Sequence, residues 1–355
     1  MKVIIDVISP LIINSTDYIN IPMVIENRDR HSLNMLDMEN IFMNSSSRKK
    51  LTDLFMEYFN SGNPREIFDK LQEYYTQLPN INNFKIYPEI EYDELDIKSS
   101  NISLPIGNYM DNRYVPYLPG SSLKGAIRNA LRNNYIKLGG RIEVDKPQKG
   151  SMFDHLIFYK QPERGNKQVT DDVMKFIEIT DFYPVDNEYK LKIHKIVRTK
   201  SGFPSQKIPS YAVTLDHGKF EGEVKINKSL KALAGEKFDT VSRVFKNLGV
   251  NLTLESDYDN NIKQILNIAT DYYRDIINSE ENYYKNKICD KPMALGFGGG
   301  IEEKTVIPSL DDYNFNESVR LIKSKDRKIH FEGRKPSTHW EINGQKFGVV
   351  DLIYE

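Results

Sequence analysis

Lys2 to Ser9 is β-branched at nearly every step, a pattern that predicts a strand buried on both faces. A polar stretch rich in Met and Asn follows, and then two amphipathic patterns. Ser47 to Asn60 places Leu51, Leu54, Phe55 and Tyr58 on one helical face, and the segment from Asn63 onward does the same with Ile67, Phe68, Leu71, Tyr74 and Tyr75. Asn63 as N-cap and Pro64 at the first helical position mark the start of the second helix. Together they read as a helical insertion over about residues 36–80. Extended segments follow at Phe84 to Tyr92 and Asn101 to Ile106. The turn Pro119-Gly120 then opens a helix from Ser121 or Ser122 to Leu138, closed by Gly139-Gly140.

Further on, Phe176 to Phe182 and Leu191 to Val197 read as strands. In the second, Leu191 and Ile193 alternate with Lys190, Lys192 and His194, so one face is apolar and the other basic. Asp145 to Thr170, rich in Pro, Gly, Lys and Gln, reads as a long excursion between strands. Pro209 to Asp216 and Phe220 to Ile226 suggest a hairpin around His217-Gly218. Helical patterns at Leu230 to Leu248 and Tyr258 to Ile288 precede a glycine cluster and two late strands. Strands and helices mixed without strict alternation predict an α+β fold.

Length and composition narrow the classes. The 355 residues favour two domains, and 39% hydrophobic with 28% charged residues exclude a mainly disordered chain. The single cysteine, Cys289, cannot form an internal disulfide, and the six histidines lack ligand spacing, so neither metal nor cofactor is expected. No apolar run approaches the ~20 residues of a membrane span. With Asp6 inside the apolar start, the chain reads as cytoplasmic and without a membrane partner. Net charge is −1, from 49 cations against 50 acids. Yet Leu118 to Ile142 holds Lys124, Arg128, Arg132, Lys137 and Arg141 and no acid. Tyr189 to Leu215 holds Lys190, Lys192, Lys195, Arg198, Lys200 and Lys207 and again none. Each run suits either a basic track for nucleic acid or a solvated face.

Two motifs carry candidate chemistry. In YLPGSSLKGAIRNALR, Tyr117 to Arg132, one helical stripe is apolar and its neighbour presents Lys124, Arg128 and Arg132. Gly120, Ser121 and Ser122 at its start offer helix caps or an anion site for phosphate. In LGFGGGIEEK, Leu295 to Lys304, the glycines Gly296, Gly298, Gly299 and Gly300 would let backbone approach a ligand closely, or simply make a turn. It fits neither a Walker loop nor a dinucleotide fingerprint, because Glu303 precedes Lys304 and Ile301 stands where a glycine is needed. Catalytic motifs are lacking. His31 in a polar loop suits general acid or base work by its ordinary pKa, and Asp181 in IEITDFYP reads as a turn or hydrogen-bonding residue.

These residues also carry a resemblance. PGSSLKGAIR at Pro119 to Arg128 resembles the signature of the RAMP superfamily, the ferredoxin-like RNA-binding subunits of CRISPR ribonucleoproteins. IEITDFYP, IPSYAVTLDHGKFEGEV from Ile208, LGFGGGIEEKT and the tail from Lys335 occur in the order found in the type III-A (Csm) subunit that caps the backbone filament at the crRNA 3′ end. The resemblance implies ferredoxin-like (RRM-like) RAMP domains, an N-terminal one over 1–208 and a C-terminal one over 209–355. It implies a thumb-like excursion over about 145–170. It further implies a non-catalytic subunit whose partners are crRNA, neighbouring Csm backbone subunits and host nucleases that trim the RNA. RNA would be held by Gly120, Ser121, Ser122, Lys124, Arg128, Arg132, Lys195, Arg198, Lys200, Gly296, Gly298, Gly299 and Gly300. Target-cleaving relatives carry a catalytic aspartate on an early loop, and the resemblance leaves open whether Asp29 or Asp37 corresponds to it. The alternative is a metal-independent endoribonuclease acting on repeat RNA through His31.

Overall fold

In β1 (Lys2–Val7), Val3, Ile5 and Val7 are buried, Lys2 is exposed, and Ile4 and Asp6 are half-buried. The strand therefore has one covered face, and the expectation of burial on both faces is corrected. The computed structural model describes residues 1–44, 48–86, 88–93, 101–110, 113–141, 157–159, 172–200, 203–204, 210–233, 235–252, 258–279, 289–297, 309–325, 331–333, 335–336 and 338–355. Most of the excursion over 145–170 lies outside them.

The remaining strands are β2 (Asn14–Asn20), β3 (Val24–Asn27), β4 (Ser32–Met35), β5 (Ile90–Tyr92), β6 (Asn101–Pro105), β7 (Gly107–Met110), β8 (Arg113–Pro116), β9 (Ile177–Ile179), β10 (Tyr183–Lys200), β11 (Phe203–Pro204), β12 (Ser210–Ile226), β13 (Pro292–Ala294), β14 (Phe331–Glu332), β15 (Lys335–Pro336), β16 (Thr338–Glu341) and β17 (Val349–Ile353). The helices are α1 (Met38–Asn44), α2 (Arg48–Asn60), α3 (Pro64–Thr76), α4 (Gly120–Lys137), α5 (Lys228–Lys231), α6 (Glu236–Asn247), α7 (Tyr258–Ser279) and α8 (Asp312–Lys325). The fold is a mixed α+β one. Its largest sheet follows the path β13-β17-β1-β12-β10-β5-β4-β3. β1 runs antiparallel to both β12 and β17, and β12 antiparallel to β10.

α4 and α7 pack together over this sheet, Tyr273 donating to the carbonyl of Ala126 at 3.4 Å. Their apolar stripes, including Leu123, Ile127, Leu131, Ile262, Leu266 and Ala269, join the main core. A smaller cluster of Ile12, Ile196, Ala212, Ile342 and Phe347 stands apart from it. Along β12, Val213 and Leu215 belong to the main core and Ala212 to the small one, so the two clusters lie on opposite sheet faces.

α1 to α3 occupy the chain between β4 and β5, and α3 seals the sheet at β3. There Gln72 accepts from the Glu26 N–H at 2.7 Å and donates to the Val24 carbonyl at 2.9 Å, giving partners to an edge strand. Both helices bury the predicted faces. Asn63 makes no side-chain cap, so only the Pro64 signal holds there. Two other expectations are corrected. No hairpin forms at His217-Gly218; β12 runs straight through, and Gly218 (φ +142) sits at a register shift where a Cβ would press on Tyr189. The helix expected over Leu230 to Leu248 is broken at Gly235, whose φ of +54 lies in the left-handed region.

Candidate nucleic-acid interface

Leu118 and Phe182 form an antiparallel bridge, each donating to the other's carbonyl at 2.9 Å. This bridge sets where α4 begins. Pro119 is its N-cap residue with extended backbone, and Gly120 is the first helical residue. The Gly120 N–H is met at 2.9 Å by the Asp181 carboxylate. A Cβ at Gly120 would overlap the carbonyls of Ile179 and Thr180, so this entry requires glycine. Ser121 and Ser122, expected as caps, stand inside the first turn, and the cap comes from across the fold. Asp181 is the hydrogen-bonding residue its sequence context suggested. It also puts negative charge where a phosphate was expected.

The stripe of α4 is not an open ridge. Lys124 donates to the Ile177 carbonyl at 2.7 Å. Burial lowers its ammonium pKa from the usual value, partly offset by Asp172. Arg128 pairs with Asp172 at 2.8 Å and lies over the Phe158 ring at 4.4 Å. Arg132 is half-buried. Ser121 remains exposed.

The basic face of β10 meets a different fate. Its parallel register with β5 sets Leu191 beside Ile90 and Lys192 beside Glu91. Lys190 then pairs with Glu91 at 2.8 Å and Lys192 with Asp93 at 2.7 Å. His194 is buried with Nε2 2.7 Å from Asp216, whose carboxylate also accepts from Thr214 at 3.1 Å. Burial alone would raise the Asp216 carboxyl, but the His194 and Thr214 contacts and the Lys192 charge outweigh it and hold the pKa low. Leu191 and Ile193 face the core as the alternation predicts. The opposite face is charge-compensated, which corrects the expectation of a uniformly basic one.

Lys195 is exposed beyond this ladder. Arg198 lies opposite Trp340 of β16, and Trp340 packs on Phe297 with ring centroids 5.2 Å apart. Lys200 ends the strand. Gly296 (φ +76) presses against the Ile12 carbonyl, and the next N–H, of Phe297, donates to it at 2.7 Å. Gly298, Gly299 and Gly300 lie outside the described residues. The start of the glycine loop and the far end of β10 thus come together through Trp340. The entry to α4 does not join them. It adjoins Tyr183, opposite Glu221, whereas Ile196 lies opposite Ser210, a span of β12 worth roughly 35 Å.

His31 occupies the β3–β4 turn with φ +47, its ring edge-on to Tyr92 at 5.8 Å. Sequence reasoning missed one feature of the α4 entry. Tyr117 and Tyr183 stack with ring centroids 5.6 Å apart and 29° between planes. Both flank residues of a buried bridge, and that alternation was the available signal.

Residues 5–303 match the family model described as RAMP superfamily. The chain is 26% identical over 230 residues to the CRISPR system Cms protein Csm5 of Methanocaldococcus jannaschii, covering 59% of this chain and 51% of that protein. It is 32% identical over 80 residues to the Csm5 of Streptococcus thermophilus, 22% of each. The matches therefore span about half of the first relative and a smaller part of the second. A chain of a cryo-EM Csm-crRNA-target RNA ternary complex from a type III-A CRISPR-Cas system has a TM-score of 0.70 at 17% identity, over 99% of this chain and 100% of that one. The crystal structure of T. onnurineus Csm5 gives 0.61 at 17%, over 98% and 99%. At that identity the two likenesses speak for the fold. With the family model spanning most of the sequence, from β1 to the glycine loop, the chain belongs to the RAMP superfamily.

Proposed function

We propose that this chain is a crRNA-binding structural subunit of a type III-A CRISPR ribonucleoprotein, capping its backbone filament at the RNA 3′ end and lacking catalysis of its own. The observation that carries this reading is the end-to-end likeness to a chain of a Csm-crRNA-target RNA complex. A ferredoxin-like unit fits the sheet path β17-β1-β12-β10, with α4 between β1 and β10 and α7 between β12 and β17. On this reading 1–208 and 209–355, expected as two ferredoxin-like domains, would be the two βαβ halves of a single unit. RNA contact would use Ser121 at the α4 entry, and Lys195 with Arg198 near the glycine loop. Lys124 and Arg128 would hold the scaffold, because their charges already have internal partners. The neighbouring backbone subunits would dock on one flank, and α1 to α3 would bar further growth.

Expression of the tagged chain with its neighbouring genes tests this directly. The reading requires co-purification of the other subunits and of crRNA with a defined 3′ end. A chain that purifies alone, or that cuts repeat RNA in EDTA through His31, overturns it.

A further inference from the structure

The bridge between Leu118 and Phe182 makes Tyr117 and Tyr183 direct cross-strand neighbours on the outward side, because Leu118 and Phe182 point into the core at 1% and 0% exposure. The rings are stacked, and Tyr183 is 41% exposed. A ring backed by a second ring and fixed by a two-bond bridge is a platform that needs no reordering on contact. Its rim is polar. Asn108 donates to the Tyr183 hydroxyl at 3.5 Å, and Asp181 is exposed on the same side, with exposed Ser121 following the Gly120 that Asp181 holds.

The charge at this spot selects among ligands. Asp181 sits two residues from Tyr183 on the same side of the strand and holds the Gly120 N–H. A phosphate would meet that carboxylate head-on. A nucleobase would lay its uncharged face on the ring, and Asp181 and Ser121 could accept hydrogen bonds from its edge or from a ribose 2′-hydroxyl. A protein partner would need a wider apolar surface than two rings enclosed by polar groups. We infer that Tyr183, backed by Tyr117, is a stacking site for one unpaired base of bound single-stranded RNA, with Asp181 reading the adjacent ribose or base edge. The inference rests on the RNA-binding reading above and adds a contact that involves no phosphate.

Fluorescence anisotropy of an end-labelled, mixed-sequence oligoribonucleotide with the full chain tests it across several salt concentrations. Tyr183→Leu should weaken binding about tenfold at every salt concentration with an unchanged salt slope, since stacking releases no counterions. Tyr183→Phe should stay within about twofold of the parent, because the ring remains. One abasic ribose in the RNA should cost the parent about tenfold and cost Tyr183→Leu nothing further. Thermal unfolding of Tyr183→Phe and Tyr183→Leu separates a lost platform from a lost fold. Equal binding by Tyr183→Leu and the parent overturns the stacking site and leaves the RNA-binding reading standing, as does a flattened slope. A parent chain that binds no RNA overturns both.

Discussion

Around Arg128 a guanidinium is held against Asp172 and over an aromatic ring, with both side chains mostly covered at 19% and 15% exposure. At the β5–β10 ladder, Lys190 and Glu91 meet at the same 2.8 Å with 48% and 43% exposure. Distance and charge are equal, and the surroundings differ. Water and salt screen the ladder, whereas at Arg128 either partner left alone would stay desolvated. The first contact pins α4 to the chain before β9. The second mainly cancels the basic face of β10.

The sharpest way to break the comparison is Arg128→Ala. It leaves the Asp172 carboxylate with the Met174 N–H but without its cation, removes the contact with Phe158, and should cost about 3 kcal/mol in a urea unfolding series. Arg128→Ala combined with Asp172→Asn should cost less than the two changes summed. An effect near zero would mean that the α4 pair is no stronger than the ladder.

Asp216 is intermediate, and pH reads it. Its folded pKa lies below the unfolded value of about 3.9. The stability it contributes is therefore complete above that value and lost as pH falls through the folded pKa. Asp216→Asn should lower stability at neutral pH by about 1–2 kcal/mol, through the weakened contacts to His194 and Thr214. It should also flatten the acid limb of the stability curve below about pH 4. A parallel acid limb would assign that loss to other carboxylates.

Smallest is the ladder. Lys190→Ala should change stability by no more than about 0.5 kcal/mol, and that difference should shrink in high salt. A salt-insensitive loss as large as that of Arg128→Ala would erase the distinction.

Much of the scaffold was legible from pattern. The apolar faces of α2, α3 and α4 and the inward Leu191 and Ile193 were readable, because burial follows period and period is local. The hairpin expected at His217-Gly218, which does not form, shows the limit. Gly218 has a positive φ but an extended one, and pairing with β10 across a bulge keeps the strand going. The pattern over Leu230 to Leu248, which side-chain periodicity alone would have continued, breaks between the end of α5 at Lys231 and the Gly235 cap of α6. At the site, the PGSS entry to α4 was found, while its true cap, Asp181, sits 61 residues away.

Residue order by itself determined the core faces of α2, α3 and α4 and membership of the RAMP superfamily. Tertiary structure alone decided which charges remain available. Glu91 and Asp93 are distant from Lys190 and Lys192 in sequence and adjacent in register, and Asp172 reaches Arg128 only once α4 packs. Hydrophobic periodicity is written in neighbouring residues, whereas a charge is cancelled by whatever the fold brings within a few ångströms of it.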